Sequence, residues 1–450
     1  MNLDKIFKAY DIRGVYPKQI DRDMAYLIGG GLVKYLNAES IAVGRDMRVS
    51  GEDLFEGLAE GITDAGAMVV NIGMVSTDAL YYTVGNFGFT GGVMITASHN
   101  PSEYNGFKIC KEEARPLSGK DGLPEIRKAV EAGSFEKADK KGAIVQKDIL
   151  DDFSEFLMSF VDVEKFKPFK VAIDAGNGMA GEIVPRVFDK LPFEVEKLYF
   201  DLDGSFPNHP ANPIEPDNTA KIREMVEKNR DIDFGAAFDG DADRMFMIDD
   251  KGNLVDSSMV AAIASAILLK KNPGEKIIHN IICSKTVAET IRKHGGEPIM
   301  TPVGHAIIKP IMRENNAIFG AEHSGHFYFR DFWFADSGIL AFLIVAEMLS
   351  ETEKKLSQLI DEIDNYKRSG EINSRVDDRK ATLEKVAKYY QEKYNVEPVL
   401  MDGVTFDLGD WWFNIRPSNT EPLIRLNLEA KTEQMVKEKV DEALSVIRGK

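Results

Sequence analysis

Three times in this chain a short β-branched run ends in a glycine-containing or polar turn and passes into a helical pattern. "SIAVGRD" (Ser40–Asp46) is followed over Gly51–Gly66 by Leu54, Leu58 and Ile62 at helical spacing. "KVAIDAGNGMAG" (Lys170–Gly181) reads as strand, glycine turn, helix start, and "KIIHNIICSKTVAETI" (Lys276–Ile291) repeats that layout. Such units bury a sheet under helices. Their recurrence at roughly hundred-residue intervals predicts three similar α/β domains in tandem. A chain of 450 residues is too long for one core, and about three or four domains fit it.

The last part has a different pattern. "ATLEKVAKYYQEKY" (Ala381–Tyr394) reads as an amphipathic helix with Leu383, Val386, Tyr389 and Tyr390 on one face. "GVTFDLG", "WWFNIR" and "LIRLNLEA" read as strands, and Glu433–Ile447 as a closing helix. This is a smaller α+β domain, with polar Asp364–Lys380 as the linker before it. The expected divisions are residues 1–150, 151–254, 255–367 and 368–450.

A formal charge of −17 disfavours nucleic acid and anionic membranes as partners. The apolar stretches Met259–Leu269 and Gly338–Leu349 are too short to span a bilayer and read as buried helices. The first residues carry no apolar signal-like core. Two cysteines, Cys110 and Cys283, make neither a disulfide framework nor a zinc pattern, so a reducing cytoplasm is expected.

Chemistry concentrates in a few segments. In "FGAAFDGDADR" an apolar run ends in Asp239, Asp241 and Asp243, followed by Arg244. Three carboxylates so close repel one another unless a cation lies between them, and hard oxygen donors suit Mg²⁺. An EF-hand is excluded, because its sixth and twelfth positions fall on Arg244 and Asp250. The bland alternative is an acidic surface turn.

"TASHNP" (Thr96–Pro101) sets Ser98 beside His99. The esterase elbow needs glycines where Thr96 and Asn100 stand. An adjacent His99 is not expected to turn back onto Ser98. Phosphoryl chemistry on Ser98 is the better reading, since a phosphoserine oxygen would complete a magnesium site of three aspartates. By itself the segment also reads as a capped polar turn.

"FGAEHSGH" alternates Glu322, Ser324 and His326, which on an extended loop face one way; carboxylate plus hydroxyl suits sugar hydroxyls. "RPSNTEPLIR" places Arg416, Ser418, Asn419, Thr420 and Arg425 as a phosphate cradle, or as a plain hairpin. "FKAYDIRG" offers Lys8, Tyr10 and Arg13.

Taken in order, "FKAYDIRG", "TASHNP", "DGDADR", "AEHSGH" and "RPSNTEP" resemble the α-D-phosphohexomutase superfamily, in particular its phosphomannomutase/phosphoglucomutase branch. The resemblance covers nearly the whole chain and implies three related α/β domains and a smaller fourth around one cleft. It implies that Ser98 carries a phosphoryl group and that Asp239, Asp241 and Asp243, with a phosphoserine oxygen, hold Mg²⁺. A hexose 1-phosphate and its 6-phosphate would interconvert through a hexose 1,6-bisphosphate, which also serves as activator. Arg416, Ser418, Asn419, Thr420 and Arg425 would hold the distal phosphate. Glu322 and Ser324 would hold the sugar, and Tyr10 would join the substrate site. Arg13 and Arg244 would offset charge. Lys108 stands where the family has a proposed general base, with a pKa expected to fall beside cations, and His305 and His326 are further candidates.

Ala321 stands where many members have glycine. Thr96 leans towards mannose or glucose rather than the phosphoglucosamine branch. A Mg²⁺-dependent sugar phosphatase would leave the arginine cradle without a role, and a non-enzymatic sugar-phosphate sensor would not need Ser98. The expected partner is a hexose phosphate, and the chain a monomer or homodimer.

Overall fold

The computed structural model describes residues 2–418 and 423–449, with His305 described by its backbone alone. Four sheets follow one another along the chain. The first runs Ile12–Val15, Tyr104–Lys111, Gly91–Ile95, Ser40–Arg45, Met68–Met74, Ile144–Gln146 across the sheet. From Gly91–Ile95 outward to Ile144–Gln146 the strands are parallel, whereas Tyr104–Lys111 is antiparallel to both neighbours. In the second sheet Glu194–Leu198, Lys170–Asp174 and Phe234–Phe238 are parallel, and Met245–Ile248 returns antiparallel. The third places Glu297–Thr301, Lys276–Asn280 and Phe319–Ala321 in parallel, then Phe327–Phe329 and Ala335–Asp336 antiparallel.

All three expected strand-turn-helix units form. Ser40–Arg45 leads to helix Gly51–Asp64, Lys170–Asp174 to Ala180–Phe188, and Lys276–Asn280 to Lys285–Lys293. The central strands Gly91–Ile95 and Phe234–Phe238 are buried at every residue, as strands covered on both faces must be. Helices Ser257–Lys271 and Gly338–Ser350 are apolar nearly all round and almost wholly buried. They pack in one continuous core that reaches residues of the first, second and third sheets. No helix among the described residues is long and apolar enough to cross a membrane.

The fourth sheet is antiparallel, ordered Lys367–Arg375, Leu423–Ala430, Trp411–Pro417, Val404–Asp407, with helices Arg379–Tyr394 and Glu433–Arg448 and a separate core. Two expectations need correction here. Asp364–Lys380 is not a linker: Lys367–Arg375 inside it is an edge strand paired with Leu423–Ala430. Its polarity reflects a mostly solvent-facing edge. The division after residue 367 therefore falls one residue into that strand. On helix Arg379–Tyr394, Val386 and Tyr390 are buried as expected, but Tyr389 is exposed. It adjoins Tyr390 in sequence, and consecutive helical residues do not share a face.

Candidate active site

The serine loop leaves strand Gly91–Ile95 and re-enters the sheet at Tyr104–Lys111. Ser98 lies in the left-handed region at φ 49° and is buried. The carboxylate loop, residues 239–244, joins strands Phe234–Phe238 and Met245–Ile248 of the second sheet. The two loops meet. Ser98 Oγ donates to Asp239 Oδ2 at 2.7 Å. Gly240 makes this approach possible, because a Cβ there would lie 2.6 Å from the Ser98 carbonyl oxygen.

His99 Nδ1 lies 3.3 Å from Ser98 Oγ. The expectation that it could not turn back is overturned, and the left-handed Ser98 backbone supplies the bend. Burial, then Arg244 and Arg13, hold the His99 imidazole well below its usual pKa, so its ring is neutral. The shorter bond to Asp239 marks the carboxylate as the serine's main partner.

Asp239, Asp241 and Asp243 are buried, and each presents an oxygen within 4.8 Å of the others. Arg244 Nε donates to Asp239 Oδ2 at 2.8 Å. Lys108 reaches across from the first sheet and donates to Asp241 Oδ2 at 2.7 Å and to Asp243 Oδ2 at 2.5 Å. Two cations thus face three carboxylates, leaving a buried excess of negative charge. Burial and repulsion from Asp241 push the Asp243 carboxyl up. Burial also pushes on Asp241, but Lys108 outweighs it and holds that carboxyl down. Asp241 Oδ1 and Asp243 Oδ1 are buried without a hydrogen-bond partner. Hard oxygen donors, excess negative charge and unsatisfied lone pairs all fit a divalent cation such as Mg²⁺.

Lys108 departs from expectation. Burial pulls its pKa down, yet Asp241, Asp243 and Asp239 outweigh that and raise it. Its nearest neighbours are carboxylates, not cations, so the ammonium is stabilised. His326 sits on the far wall, where Arg244 and His326 form a β-bridge. Its Nδ1 lies 2.8 Å from Asp336 Oδ2 and 3.9 Å from Asp243 Oδ1. Asp336 in turn pairs with the buried ammonium of Lys309 at 2.6 Å. Arg13 donates to Asn100 Oδ1 at 2.5 Å and to Asp11 at 2.6 Å, at the edge of the serine loop.

The segment around Glu322 is not the extended loop expected. Gly325, at φ +88°, donates its N–H to the Glu322 carbonyl and closes a tight turn. Glu322 is buried. Tyr328 donates to its Oε1 at 2.5 Å, and the Gly304 N–H to its Oε2 at 3.0 Å. Ser324 is half-buried in the same turn. Tyr10 lies against Gly304, where an added Cβ would come within 2.9 Å of its hydroxyl. The N-terminal segment therefore does reach the Glu322 loop. His305 opens helix His305–Asn315, and its side chain lies outside the described residues.

On the fourth sheet Arg416 and Arg425 are direct cross-strand partners. Glu371 joins them, at 2.9 Å from Arg416 and 3.3 Å from Arg425. Ser418 is buried beside them, and Arg379 donates to its carbonyl. Asn419 and Thr420 lie outside the described residues. Glu371 stands in the segment expected to be a linker, so its role in pairing the arginines was missed. Asp46, Arg48 and Thr77 were missed too. Thr77 Oγ1 donates to Asp241 Oδ2 at 2.6 Å, and Asp46 and Arg48 lie under the serine loop. "GRDMRVS" shows unpaired charge in a turn after an apolar strand, and that was the available signal.

Four family models match in succession. They are phosphoglucomutase/phosphomannomutase alpha/beta/alpha domain I over residues 4–137, domain II over 151–252, domain III over 256–366, and the C-terminal domain over 371–445. A protein of Xanthomonas campestris pv. campestris named "Phosphohexose mutases" is 38% identical over 98% of this chain and 99% of its own length. A phosphomannomutase of Escherichia coli K12 is 39% identical over 94% of both chains. Among solved structures, a phosphoglucomutase/phosphomannomutase family protein from Burkholderia thailandensis superposes with a TM-score of 0.88 at 31% identity, covering 98% of this chain and 97% of that one.

Proposed function

The chain belongs to the phosphoglucomutase/phosphomannomutase family, and from that premise we propose that it interconverts the 1- and 6-phosphates of mannose, glucose or both through a phosphoserine at Ser98. It is a phosphohexomutase, an intramolecular phosphotransferase. The observation that carries the mechanism is the 2.7 Å contact between Ser98 Oγ and Asp239, inside a cluster whose other aspartates keep unsatisfied oxygens.

Asp239, Asp241, Asp243 and Ser98 would hold Mg²⁺, which when bound offsets charge on the transferring phosphoryl group. Lys108 and Arg244 add positive charge at the same point. The Ser98 O–P bond breaks as a free hydroxyl of the bound hexose monophosphate forms a new O–P bond. That hydroxyl releases its proton, and His326 is the group at hand to take it; Lys108, held as the ammonium by its carboxylate neighbours, contributes charge instead. The resulting hexose 1,6-bisphosphate turns over in the cleft and returns its other phosphoryl to Ser98. Arg416 and Arg425, with Ser418, would grip whichever phosphate is idle; Asn419 and Thr420, expected to share that role, lie outside the described residues. Glu322 and Ser324 would hold the sugar ring, with Tyr10 beside them at Gly304. Binding both orientations with the same groups makes this catalysis by positioning and charge.

A coupled assay comparing mannose 1-phosphate, glucose 1-phosphate and glucosamine 1-phosphate, with glucose 1,6-bisphosphate as activator, tests the substrate reading. Turnover confined to glucosamine 1-phosphate would overturn it. Intact-mass detection of one phosphoryl group, absent in Ser98→Ala, tests the mechanism.

A further inference from the structure

We propose that Arg48 is the positioning residue of the phosphoryl-transfer serine: it sets where Ser98 Oγ stands by gripping the backbone of its loop. The inference rests on the reading of Ser98 as the phosphoryl carrier. The hydrogen bonds of Arg48 run to Asp46 and to the serine loop's carbonyls rather than to Asp239, Asp241 or Asp243.

The side chain of Arg48 is fully buried, and all five of its N–H groups are engaged. Nε donates to Asp46 Oδ2 at 3.2 Å. One terminal nitrogen donates to the carbonyls of Pro101 at 2.8 Å and Tyr104 at 2.9 Å. The other donates to the carbonyls of Ser98 at 2.8 Å and Asn100 at 2.7 Å. One guanidinium thus closes the whole loop from its nucleophile to its re-entry into the sheet.

The other side of the Ser98 peptide is held by the same unit. Asp46 Oδ2 accepts from Thr96 Oγ1 at 2.6 Å, and Thr96 Oγ1 accepts from the Ser98 N–H at 2.8 Å. Ser98 is therefore pinned through its own N–H and its own carbonyl, with its backbone in a region that costs a non-glycine residue energy. A strained serine of this kind persists only where its surroundings over-determine it. Phe206 of the second sheet's unit covers the guanidinium, its ring centre 5.1 Å from Arg48 Cζ, and keeps water from competing for the carbonyls.

The chemistry needs this. Ser98 must both give and receive a phosphoryl group at one fixed point beside Asp239. A displacement of about 1 Å costs about 100-fold in rate. A lysine at position 48 has three donors and no planar fork, so it cannot reproduce the grip.

The test uses the full chain with glucose 1,6-bisphosphate as phosphoryl donor. Arg48→Lys is expected to slow single-turnover phosphorylation of Ser98, read by intact mass, by about 100-fold. Its dissociation constant for glucose 1-phosphate should stay within about threefold of the parent. Thr96→Val, which removes the acceptor of the Ser98 N–H at nearly constant volume, should slow the same step by about tenfold at unchanged affinity. A merely structural role would lower affinity and rate together in both proteins. Phosphorylation of Arg48→Lys at the parent rate overturns the proposal. If that variant does not fold, Thr96→Val decides alone, and a parent rate there overturns it equally. Failure of the Ser98 reading is distinct: Ser98→Ala would still take up the phosphoryl group.

Discussion

The serine region and the arginine region are built on opposite plans. At the serine end, Ser98, Asp239, Asp241, Asp243, Lys108 and Arg244 are buried and interlocked. At the arginine end, Arg416 and Arg425 stand side by side on strands of a separate sheet, partly open to solvent and joined by one shared carboxylate, Glu371. The first arrangement fixes atoms before substrate arrives, which suits a site where charge develops. The second keeps two guanidinium forks available for a ligand that must bind either way round. In the proposed mechanism bonds change at the rigid region and the open region recognises.

Substitutions can break this contrast, beginning with the largest effect. Ser98→Ala should cut mutase turnover by about 1,000-fold or more. Its affinity for glucose 1-phosphate, measured by calorimetry, should be kept. Near-parental turnover would mean that the serine end does not carry the bond change. Asp241→Ala should lose about 100-fold or more and no longer respond to added Mg²⁺. Full activity in excess EDTA would remove the cation from the account.

The third case lies where the third sheet meets the fourth. His279 lines a cavity of about 290 Å³ between the third and fourth sheets, and burial lowers its pKa from 6.5 to about 4. The unfolded chain therefore takes up a proton there that the folded chain refuses. This contribution to stability is complete above about pH 6.5 and is lost as pH falls through about 4, by roughly 3 kcal/mol in all. His279→Gln should flatten the acid limb of a urea-midpoint profile. A slope equal to the parent's would show that other groups set it. Smallest, Arg416→Ala should raise KM about tenfold while leaving single-turnover phosphorylation of Ser98 by the bisphosphate nearly intact. A parallel collapse of both would erase the distinction between the two ends.

What the sequence made legible follows from locality. The strand-turn-helix units, the apolar helices Ser257–Lys271 and Gly338–Ser350, and the carboxylate loop all declare themselves within a dozen or so residues, and each formed. Lys367–Arg375 was hidden because an edge strand needs few apolar residues. The turn at Glu322 was hidden because its register depends on Gly325 adopting a positive φ. Lys108 was misjudged in sign. Its segment lies more than a hundred residues from the aspartates that surround it, and its charge environment exists only after folding. Arg48 stood in the charged turn "GRDMRVS", but the backbone carbonyls that give it its place come from fifty or more residues away and no side-chain pattern announces them.

The separate core of the fourth sheet has an evolutionary consequence. The first three sheets share one continuous core, so a volume change in it is felt by all three. Val386, Tyr390, Phe413 and their neighbours pack chiefly among themselves. Mutations there are free to drift on their own account, without disturbing the packing beneath Ser98 and the three aspartates. Diversification among relatives should therefore run faster in this last unit than in the three that precede it.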